Sequence, residues 1–488
     1  MVGTALKAFA LETTLKVVFA NPPVTPHKKI MRDFDCAGES KSNYLYQPYD
    51  LLLLSSFIPD HWEFTFIDSV ADQIEHDRFD KILKSINPDI IVCPVAGMNW
   101  NEDKQTLIRL RKTFPDAILL TFGDLFIELS ARFEIKEQVN GILSSPLMFR
   151  FEQFEQKNKN LASTELQGLG LHSFDDKVVT NLKAPVVINF PMPKHEYFQR
   201  ANYRWPFNRY KRYTTVFFTW GCPYSCSYCI LSKFPNYWRT AEEIISEMRF
   251  IKKLGYQEVY IGDKSFGVSK EVTLKTLKAM IAEKLNLSWS TYFHPTQYSP
   301  ELLELMASAG CHTIVIGIES VNIVSLKNYG RHINQNQLYD LIEHAKRLNI
   351  DICGDFILGL PNEDRNTILA TIKFACDLKI DFASFNLATP LPGSSLKSLA
   401  VEKKIIENND QGFDSSGNNL ITSFANVSNR ELSFLHKYAV LRFYCRPSYL
   451  LKRLKSVSGP EHLQIQFAEA IQLLISSLGF RRLLRKSK

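Results

Sequence analysis

The chain has 488 residues, 45% of them hydrophobic, which suits two or three globular domains better than one. Its net charge of +7 comes from 58 basic and 51 acidic side chains, a balance that gives no reason to expect nucleic acid as a partner. No apolar run reaches the roughly 20 residues that span a bilayer. The segment Met1–Leu15 is a poor signal peptide, so the sequence predicts a cytoplasmic protein.

The amino-terminal part predicts a doubly wound, Rossmann-like parallel sheet. Apolar segments with the length of strands alternate with helical segments such as Tyr49–Ile58. The strands are expected at Leu15–Asn21, Trp62–Ile67, Asp89–Pro94 and Ala117–Phe122. Strands that alternate with helices form parallel sheets with helices on both faces. Residues 1–162 are therefore expected to form one α/β domain.

Residues 163–213 are predicted to link this domain to the next one. The stretch ends in interleaved aromatic and basic side chains, from Tyr203 and Trp205 to Arg212 and Tyr213. Such a pattern can stack the bases of single-stranded nucleic acid. The commoner explanation is a linker packed across the mouth of the following domain, and this is the interpretation we favour.

Six strand–helix units follow, and residues 214–400 are expected to form a partial (β/α)6 barrel. The strands are predicted at Thr215–Thr219, Glu258–Gly262, Leu287–Phe293, Thr313–Ile318, Ile352–Leu358 and Phe382–Leu387. A capping box of Thr240 and Glu243 opens the first helix. Without a seventh and an eighth unit the barrel should stay open. Its ligands should gather at the carboxyl ends of the strands.

Three closely spaced cysteines follow the first barrel strand. Cys222, Cys226 and Cys229 have the spacing C-x3-C-x2-C, with Tyr228 directly before the last of them. Three thiolates can hold three corners of a [4Fe-4S] cluster and leave the fourth iron open. A structural zinc site requires a fourth ligand. The other cysteines are too scattered in the sequence to form a disulfide framework. The spacing therefore indicates an iron–sulfur cluster with an exchangeable iron.

This motif resembles the signature of the radical SAM superfamily. In that family the open iron binds S-adenosylmethionine (SAM), and reduction cleaves SAM to a 5'-deoxyadenosyl radical. The resemblance extends to the following strand ends and implies contacts with SAM there. The implied cofactor-binding residues are Tyr228, Gly262, Asp263, Glu319, Ser320, Gly354 and Gly359. Asp263 would accept a hydrogen bond from the SAM amine, unless it is a simple turn residue, and Glu319 would face the ribose or the methionine part.

The amino-terminal domain resembles the cobalamin-binding domain that precedes the barrel in many radical SAM enzymes. The resemblance rests on the Asn-Pro-Pro end of the first strand, on the apolar helix after it and on the strand 87–92. It implies that Asn21, Pro22 and Gly123 contact cobalamin. No Asp-x-His-x-x-Gly occurs, so the cobalt would have no histidine ligand. Thr-Phe-Gly-Asp stands where Gly-Gly-x-His is usual, which leaves a Rossmann-like domain without cobalamin as the alternative.

Residues 401–488 are predicted to form a helical carboxyl-terminal region. Its last segment, Ile471–Lys488, combines leucines and isoleucines with arginines and lysines. This basic helix could make peripheral contact with an anionic membrane surface. It could also pack on the barrel with its cations near a helix C-terminus, and packing is the favoured interpretation.

These features predict a cobalamin-dependent radical SAM methyltransferase that acts on an unactivated carbon of a natural product or a lipid. An electron donor such as flavodoxin or ferredoxin is expected, and a nucleic-acid partner is not. One alternative is a radical SAM cyclase or rearrangement enzyme; another is a non-catalytic cluster protein that binds RNA or a membrane. A methylthiotransferase is disfavoured, because only Cys36 and Cys93 precede Cys222, too few for a second three-cysteine cluster.

Overall fold

The computed structural model describes residues 14–25, 28–40, 44–147, 149–151, 171–172, 174, 185–407, 413, 422–447 and 449–451. Part of the predicted linker and the whole basic segment Ile471–Lys488 lie outside these residues, so the predicted membrane contact is not described. Within the described ranges, none of the helices combines the length and the apolarity that crossing a membrane requires.

The described strands and helices follow in chain order. The strands are β1 (Lys16–Asn21), β2 (Ile30–Asp33), β3 (Cys36–Glu39), β4 (Glu63–Asp68), β5 (Ile90–Pro94), β6 (Ile118–Phe122), β7 (Gly141–Ile142), β8 (Val186–Val187), β9 (Tyr213–Val216), β10 (Thr219–Trp220), β11 (Tyr237–Trp238), β12 (Glu258–Ile261), β13 (Ser288–Tyr292), β14 (Cys311–Glu319), β15 (Asp351–Leu358) and β16 (Phe382–Leu387). The helices are α1 (Tyr49–Ser55), α2 (His76–Ile86), α3 (Trp100–Thr113), α4 (Leu129–Phe133), α5 (Ala241–Lys253), α6 (Lys270–Ala282), α7 (Pro300–Ser308), α8 (Ile323–Asn328), α9 (Gln335–Arg347), α10 (Arg365–Asp377), α11 (Ser395–Glu402) and α12 (Asn429–Tyr444).

The amino-terminal sheet is parallel, with the strand order β4-β1-β5-β6-β7. The predicted strands are present as β1, β4, β5 and β6, and the doubly wound fold is confirmed. The chain moves to one side of β1 for β4 and to the other side for β5. The order therefore reverses between β1 and β5, and doubly wound sheets bind ligands in the crevice at such a point.

An antiparallel hairpin of β2 and β3 is inserted between β1 and α1, and sequence analysis did not predict it. Successive side chains of β2 point to opposite faces of the hairpin. Ile30 and Arg32 face the amino-terminal domain, where Ile30 packs against Ala96. Met31 and, at the turn, Asp35 line a cavity on the side of the barrel. The hairpin thus forms a layer between the two sheets.

Phe34, at the tip of this hairpin, anchors it between the domains. Its ring stacks on Phe122 at 4.9 Å and meets Phe234 edge-on at 5.4 Å and Trp220 edge-on at 5.9 Å. Phe34 is buried, and these rings belong to one apolar core that runs from the amino-terminal sheet to the residues after β9. Burial of aromatic rings on both sides therefore joins the two domains.

The second sheet has six parallel strands in consecutive order, β9-β12-β13-β14-β15-β16, which confirms the partial barrel. Its outer face packs against the intervening helices in the main apolar core. The predicted capping box is present: the Glu243 amide donates to Thr240 Oγ1 at 3.3 Å, and the Thr240 amide donates to the Glu243 carboxylate at 3.0 Å. Within the described part of residues 401–488, α12 is helical, as predicted.

The first barrel strand ends earlier than the sequence predicted. β9 covers Tyr213–Val216 rather than Thr215–Thr219. The amides of Phe218 and Thr219 donate to the Asp263 carboxylate at 2.8 and 3.1 Å. Thr219 and Trp220 then pair antiparallel with β11. The chain therefore leaves the barrel sheet before the cysteine loop, because a carboxylate replaces the neighbouring strand as its hydrogen-bond partner.

The described end of the linker packs inside the open barrel, whereas the sequence predicted a position across its mouth. Trp205 stacks on Tyr260 of β12 at 3.9 Å, and the Tyr203 hydroxyl donates to Asp68 of the amino-terminal domain at 2.6 Å. Both aromatic side chains are buried. These two rings are unavailable for stacking on nucleic-acid bases, because the protein's own rings and carboxylates already hold them.

Candidate active site

A cavity of about 380 Å³ lies between the β2–β3 hairpin and the carboxyl ends of the barrel strands. This volume is within the range of roughly 300–1,000 Å³ that is typical of small-molecule sites. Its lining includes Asp35 from the hairpin and, from the barrel, Cys222, Cys226, Tyr228, Cys229, Lys264, Gly317, Glu319 and Arg331. A second cavity, of about 390 Å³, lies beside α11 and has no cysteine in its lining. The cysteines make the first cavity the candidate site.

The three predicted cluster ligands all line this cavity. Cys226 is buried, Cys222 and Cys229 are half-buried, and all three thiols are free. Gly221 makes the turn into the loop, with a φ of +91° that side chains disfavour. A Cβ at Gly221 would lie 2.3 Å from the carbonyl oxygen of Pro235. The loop's entry therefore depends on a glycine directly before the first cysteine.

The chemistry of the three thiols fits an iron–sulfur cluster. Burial raises the pKa of the Cys222 thiol to about 11 and that of the Cys229 thiol to about 12, so both need a nearby positive charge to ionise. Bound metal ions supply such charge and deprotonate coordinating thiols. Within the described residues, no three His, Cys, Asp or Glu side chains are arranged around a single metal ion. A [4Fe-4S] cluster takes each thiolate on a different iron, so three free thiols in one loop at the cavity wall suit such a cluster.

Asp263 has a different role from the predicted contact with the SAM amine. One of its oxygens accepts from the Phe218 amide at 2.8 Å, and the other accepts from the Thr219 hydroxyl at 2.8 Å. The Thr219 amide also lies 3.1 Å from both oxygens. Burial raises the pKa of Asp263 to about 6, whereas these donors lower it. Both carboxylate oxygens already accept hydrogen bonds from the residues that lead into the cysteine loop.

Glu319 lines the cavity, where the sequence predicted a cofactor contact. Its φ of +65° is uncommon for a residue with a side chain, and the register between β14 and β15 shifts at Gly317 and Glu319. Such backbone strain is often found at functional sites. Burial raises the pKa of Glu319 to about 7, and the Arg331 guanidinium, 3.7 Å away, opposes that rise. Tyr228 also lines the cavity and donates a hydrogen bond to Glu319.

Arg331 is a site residue that sequence analysis missed. Its guanidinium lines the cavity, donates to the carbonyl oxygen of Gly317 and contacts Cys226. Its Nε is buried without a hydrogen-bond partner. A buried cation next to a predicted cluster ligand can bind an anionic group of a bound small molecule. Its position in the sequence, after α8 and far from any strand end, offered no pattern that would have singled it out.

The remaining barrel residues that the resemblance implied lie outside the cavity lining. Ser320 donates to Glu363 at 2.8 Å. Gly262 makes room for a ring, since a Cβ there would lie 2.3 Å from Phe217. Gly354 and Gly359 pack against side chains of the barrel and of α12, and Gly359 has a φ of +91°. In this structure the four residues serve the packing and hydrogen bonding of the barrel outside the cavity lining.

The predicted cobalamin-binding residues of the amino-terminal domain lie beneath the hairpin. Asn21 is buried, donates to Asp68 at 2.9 Å and accepts from Arg32 at 2.8 Å. The carbonyl oxygen of Pro22 also accepts from Arg32, at 3.1 Å. Gly123 follows β6, where a Cβ would lie 2.4 Å from the Val95 carbonyl oxygen. The hairpin covers the strand ends on which the predicted corrin contacts depend.

An ion pair between the domains forms another part of the cavity wall. Lys264, after β12, pairs with Asp35 at the hairpin tip. The Tyr49 hydroxyl donates to Asp35 at 2.5 Å, and the Lys264 ammonium lies 5.3 Å from the Tyr49 ring and 5.4 Å from the Tyr292 ring. Sequence analysis did not predict this pair, because its partners are far apart in the chain.

Comparison with known proteins identifies the barrel. Residues 216–375 match the model of the Radical SAM superfamily. The chain contains a radical SAM domain. The matched segment includes the three cysteines and the strands β12 to β15, so the radical SAM domain surrounds the cavity described above.

Similarity to known proteins extends beyond this domain. An uncharacterized methyltransferase of Pyrococcus horikoshii is 26% identical over 421 residues, which are 83% of this chain and 89% of that protein. The structure of TsrM from Kitasatospora setae, a radical SAM methyltransferase with cobalamin and a [4Fe-4S] cluster bound, matches with a TM-score of 0.60 at 15% identity, over 80% of this chain and 78% of TsrM. OxsB, a cobalamin-dependent SAM radical enzyme with aqua-cobalamin bound, matches with a TM-score of 0.62 at 14% identity, over 95% of this chain and 72% of OxsB. The fold is thus shared over both sheets.

Proposed function

We propose that the protein is a radical SAM methyltransferase that transfers a methyl group to a carbon atom of a small molecule. The observation that carries this proposal is the cavity lined by Cys222, Cys226 and Cys229 and covered by the doubly wound domain. The three thiols would hold the iron–sulfur cluster that the cleavage of SAM requires. The methyl transfer is supported by the similarity to the methyltransferase of Pyrococcus horikoshii, which extends over most of both chains.

The three cysteines would hold a [4Fe-4S] cluster at the wall of the cavity. When bound, such a cluster supplies the electron for the reductive cleavage of SAM. The chain's own residues orient SAM: Arg331 offers a guanidinium to its carboxylate, and Glu319 accepts from its ammonium or ribose hydroxyl groups. The aromatic rings around Lys264 and the hairpin above them keep water out of the site.

Cobalamin is the proposed methyl carrier. The support is that both solved structures with the same two-domain fold contain cobalamin. The strand ends of the amino-terminal domain are covered by the hairpin and do not fit a corrin in this arrangement, so no step is assigned to it. A natural product or a lipid is the proposed substrate, and flavodoxin or ferredoxin the proposed electron donor, in accordance with the sequence-based expectation.

The products formed from SAM test this proposal. Anaerobically reconstituted protein would be incubated with SAM, a low-potential reductant and hydroxocobalamin. A methyltransferase should form 5'-deoxyadenosine by reductive cleavage and S-adenosylhomocysteine by methyl donation. A radical SAM cyclase or rearrangement enzyme should form 5'-deoxyadenosine alone. Absence of S-adenosylhomocysteine from protein with an intact cluster would therefore contradict the methyltransferase assignment.

Replacing Glu319 by glutamine should weaken SAM binding. The change removes the negative charge but keeps the size, and the loss of a charge-assisted hydrogen bond costs about 1.5–3 kcal/mol. We expect the Kd for SAM to rise roughly 10- to 150-fold, measured by equilibrium dialysis under anaerobic conditions. Glu343→Gln, on the exposed side of α9, is the matched control and should leave the Kd unchanged. An unchanged Kd in Glu319→Gln would make Glu319 a structural residue.

A further inference from the structure

His294, just after β13, lines the cavity beside the cysteine loop. The residue is buried, and its ring stacks on the ring of Tyr224, with centroids 4.1 Å apart and planes at 23°. Tyr224 lies between Cys222 and Cys226 in the sequence. The imidazole is therefore held against the loop that carries the predicted cluster ligands.

A one-way chain of hydrogen bonds fixes the proton on this ring. The Gln297 side-chain amide donates to the Tyr224 hydroxyl oxygen at 2.8 Å, which leaves the hydroxyl proton for Thr296 Oγ1, 2.7 Å away. The Thr296 hydroxyl in turn donates to His294 Nδ1 at 2.7 Å, and the Thr296 backbone amide, which can only donate, reaches the same nitrogen at 3.2 Å. Nδ1 is therefore an acceptor, and the neutral ring carries its proton on Nε2.

Nε2 is the nitrogen that remains for a ligand. Among the described residues, none accepts a hydrogen bond from it. His294 lines the cavity, whereas Thr296, which binds Nδ1, does not. The cavity is therefore the side from which an acceptor atom can reach Nε2. A donor on a residue this buried costs free energy until an acceptor is supplied.

Arg331 gives this part of the cavity a positive charge. Its guanidinium lines the cavity, and its Nε is buried without a hydrogen-bond partner. Burial and the Arg331 charge together lower the pKa of His294 to about 3, so the ring stays neutral and adds no second charge. The cavity wall thus offers a cation and a neutral N–H donor, a combination that suits a carboxylate.

We propose that His294 Nε2 donates a hydrogen bond to the carboxylate of SAM, beside the guanidinium of Arg331. The inference rests on the proposed function, in which Arg331 binds that carboxylate, and it adds a second binding residue. Tyr224 holds the ring, and the hydrogen-bond chain holds its proton, before SAM arrives. The loop that carries Cys222 and Cys226 therefore also preorganises a donor for the ligand of its own cluster.

Binding of SAM and of decarboxylated SAM tests this contact. Decarboxylated SAM keeps the adenosine, the sulfonium and the amine but lacks the carboxylate. Both Kd values would be measured by anaerobic equilibrium dialysis of the full chain with a reconstituted cluster. The unmodified chain should prefer SAM. His294→Asn should reduce that preference about tenfold, by weakening SAM alone, because a hydrogen bond to a charged group is lost.

Two amide side chains separate the roles of the two ring nitrogens. Asparagine reaches only the position of Nδ1, so His294→Asn can still accept from Thr296 but has no donor at the Nε2 position. Glutamine reaches the Nε2 position, so His294→Gln should keep the preference for SAM within about threefold of the unmodified chain. His344→Asn is the matched control, since His344 is a buried histidine of α9 outside the cavity lining, and it should leave both Kd values unchanged.

Each other outcome would overturn the inference. An unchanged preference for SAM in His294→Asn, with its iron content intact, would show that Nε2 does not contact the carboxylate. Equal weakening of both ligands would make the ring a support for the cysteine loop, and loss of the preference in His294→Gln as well would exclude the donor at Nε2 as its cause. Equal affinity of the unmodified chain for both ligands would also remove the proposed contact of Arg331. Formation of S-adenosylhomocysteine reports on the methyltransferase assignment separately.

Discussion

Replacing Cys222, Cys226 and Cys229 together by alanine should remove the cluster from the protein and abolish the cleavage of SAM. The unmodified chain should hold about four irons after anaerobic reconstitution, with broad visible absorbance. The triple variant should hold none, because the other cysteines in the described ranges lie outside the cavity lining. Iron analysis and 5'-deoxyadenosine formation measure the two effects.

Cys311→Ala is the control for this experiment. Cys311 is also a buried, free cysteine, but it begins β14, at the opposite end of that strand from Glu319, and takes no part in the cavity lining. This variant should keep its iron and its activity toward SAM. Iron that remains in the triple variant at the level of the unmodified chain would contradict the assignment of the three cysteines.

Replacing Asp263 by alanine should impair assembly of the cluster, although Asp263 is not a predicted iron ligand. The change leaves the buried amides of Phe218 and Thr219 without their acceptor, at a cost of about 1–3 kcal/mol each. The chain between β9 and Cys222 would then lose the contact that determines its path. We expect a lower melting temperature and clearly less than one cluster per chain, measured by circular dichroism and iron analysis.

Asp381→Ala separates this local effect from a general loss of barrel stability. Asp381 is a buried carboxylate that accepts from the Ile352 amide at 3.0 Å, at the amino-terminal end of the barrel sheet. Its removal should lower the melting temperature and leave the iron content unchanged. A full complement of iron in Asp263→Ala, together with weaker SAM binding, would instead restore the predicted contact between Asp263 and SAM.

Sequence patterns predicted all strands of the two sheets except β7, because the alternation of apolar strands and amphipathic helices is a local property of the sequence. Each barrel strand is a short apolar run followed by an amphipathic helix, and six repeats of that pattern predicted β9 and β12 to β16 in their observed order. The error at the first strand, predicted at Thr215–Thr219, has a tertiary cause. Thr219 has a β-branched side chain that favours a strand, but its amide donates to Asp263, a residue 44 positions away.

The same distinction applies to the site. The cluster motif of Cys222, Cys226 and Cys229 could be recognised from the sequence, because three ligands of one cluster can lie close together in one loop. Arg331 joins Glu319 through a fold-dependent contact and carried no such pattern. Sequence analysis predicted that the glycines near strand ends contact a ligand. In the structure, Gly262 instead leaves space for the Phe217 ring. A small residue near a strand end has the same sequence pattern in both cases.

The sequence by itself determined the fold class, the radical SAM motif and the end of the barrel at which the candidate site lies. Periodicity and ligand spacing are properties of neighbouring residues, so they are visible without a structure. The tertiary structure alone decided how the two domains meet. The hairpin with Arg32 and Asp35 contacts Asp103 on one side and Lys264 on the other, 71 positions away in the chain in the first case. The first pair depends on the folded amino-terminal domain, and the second forms only when both domains are in place, because each charge is neutralised only by a partner that is distant in the chain.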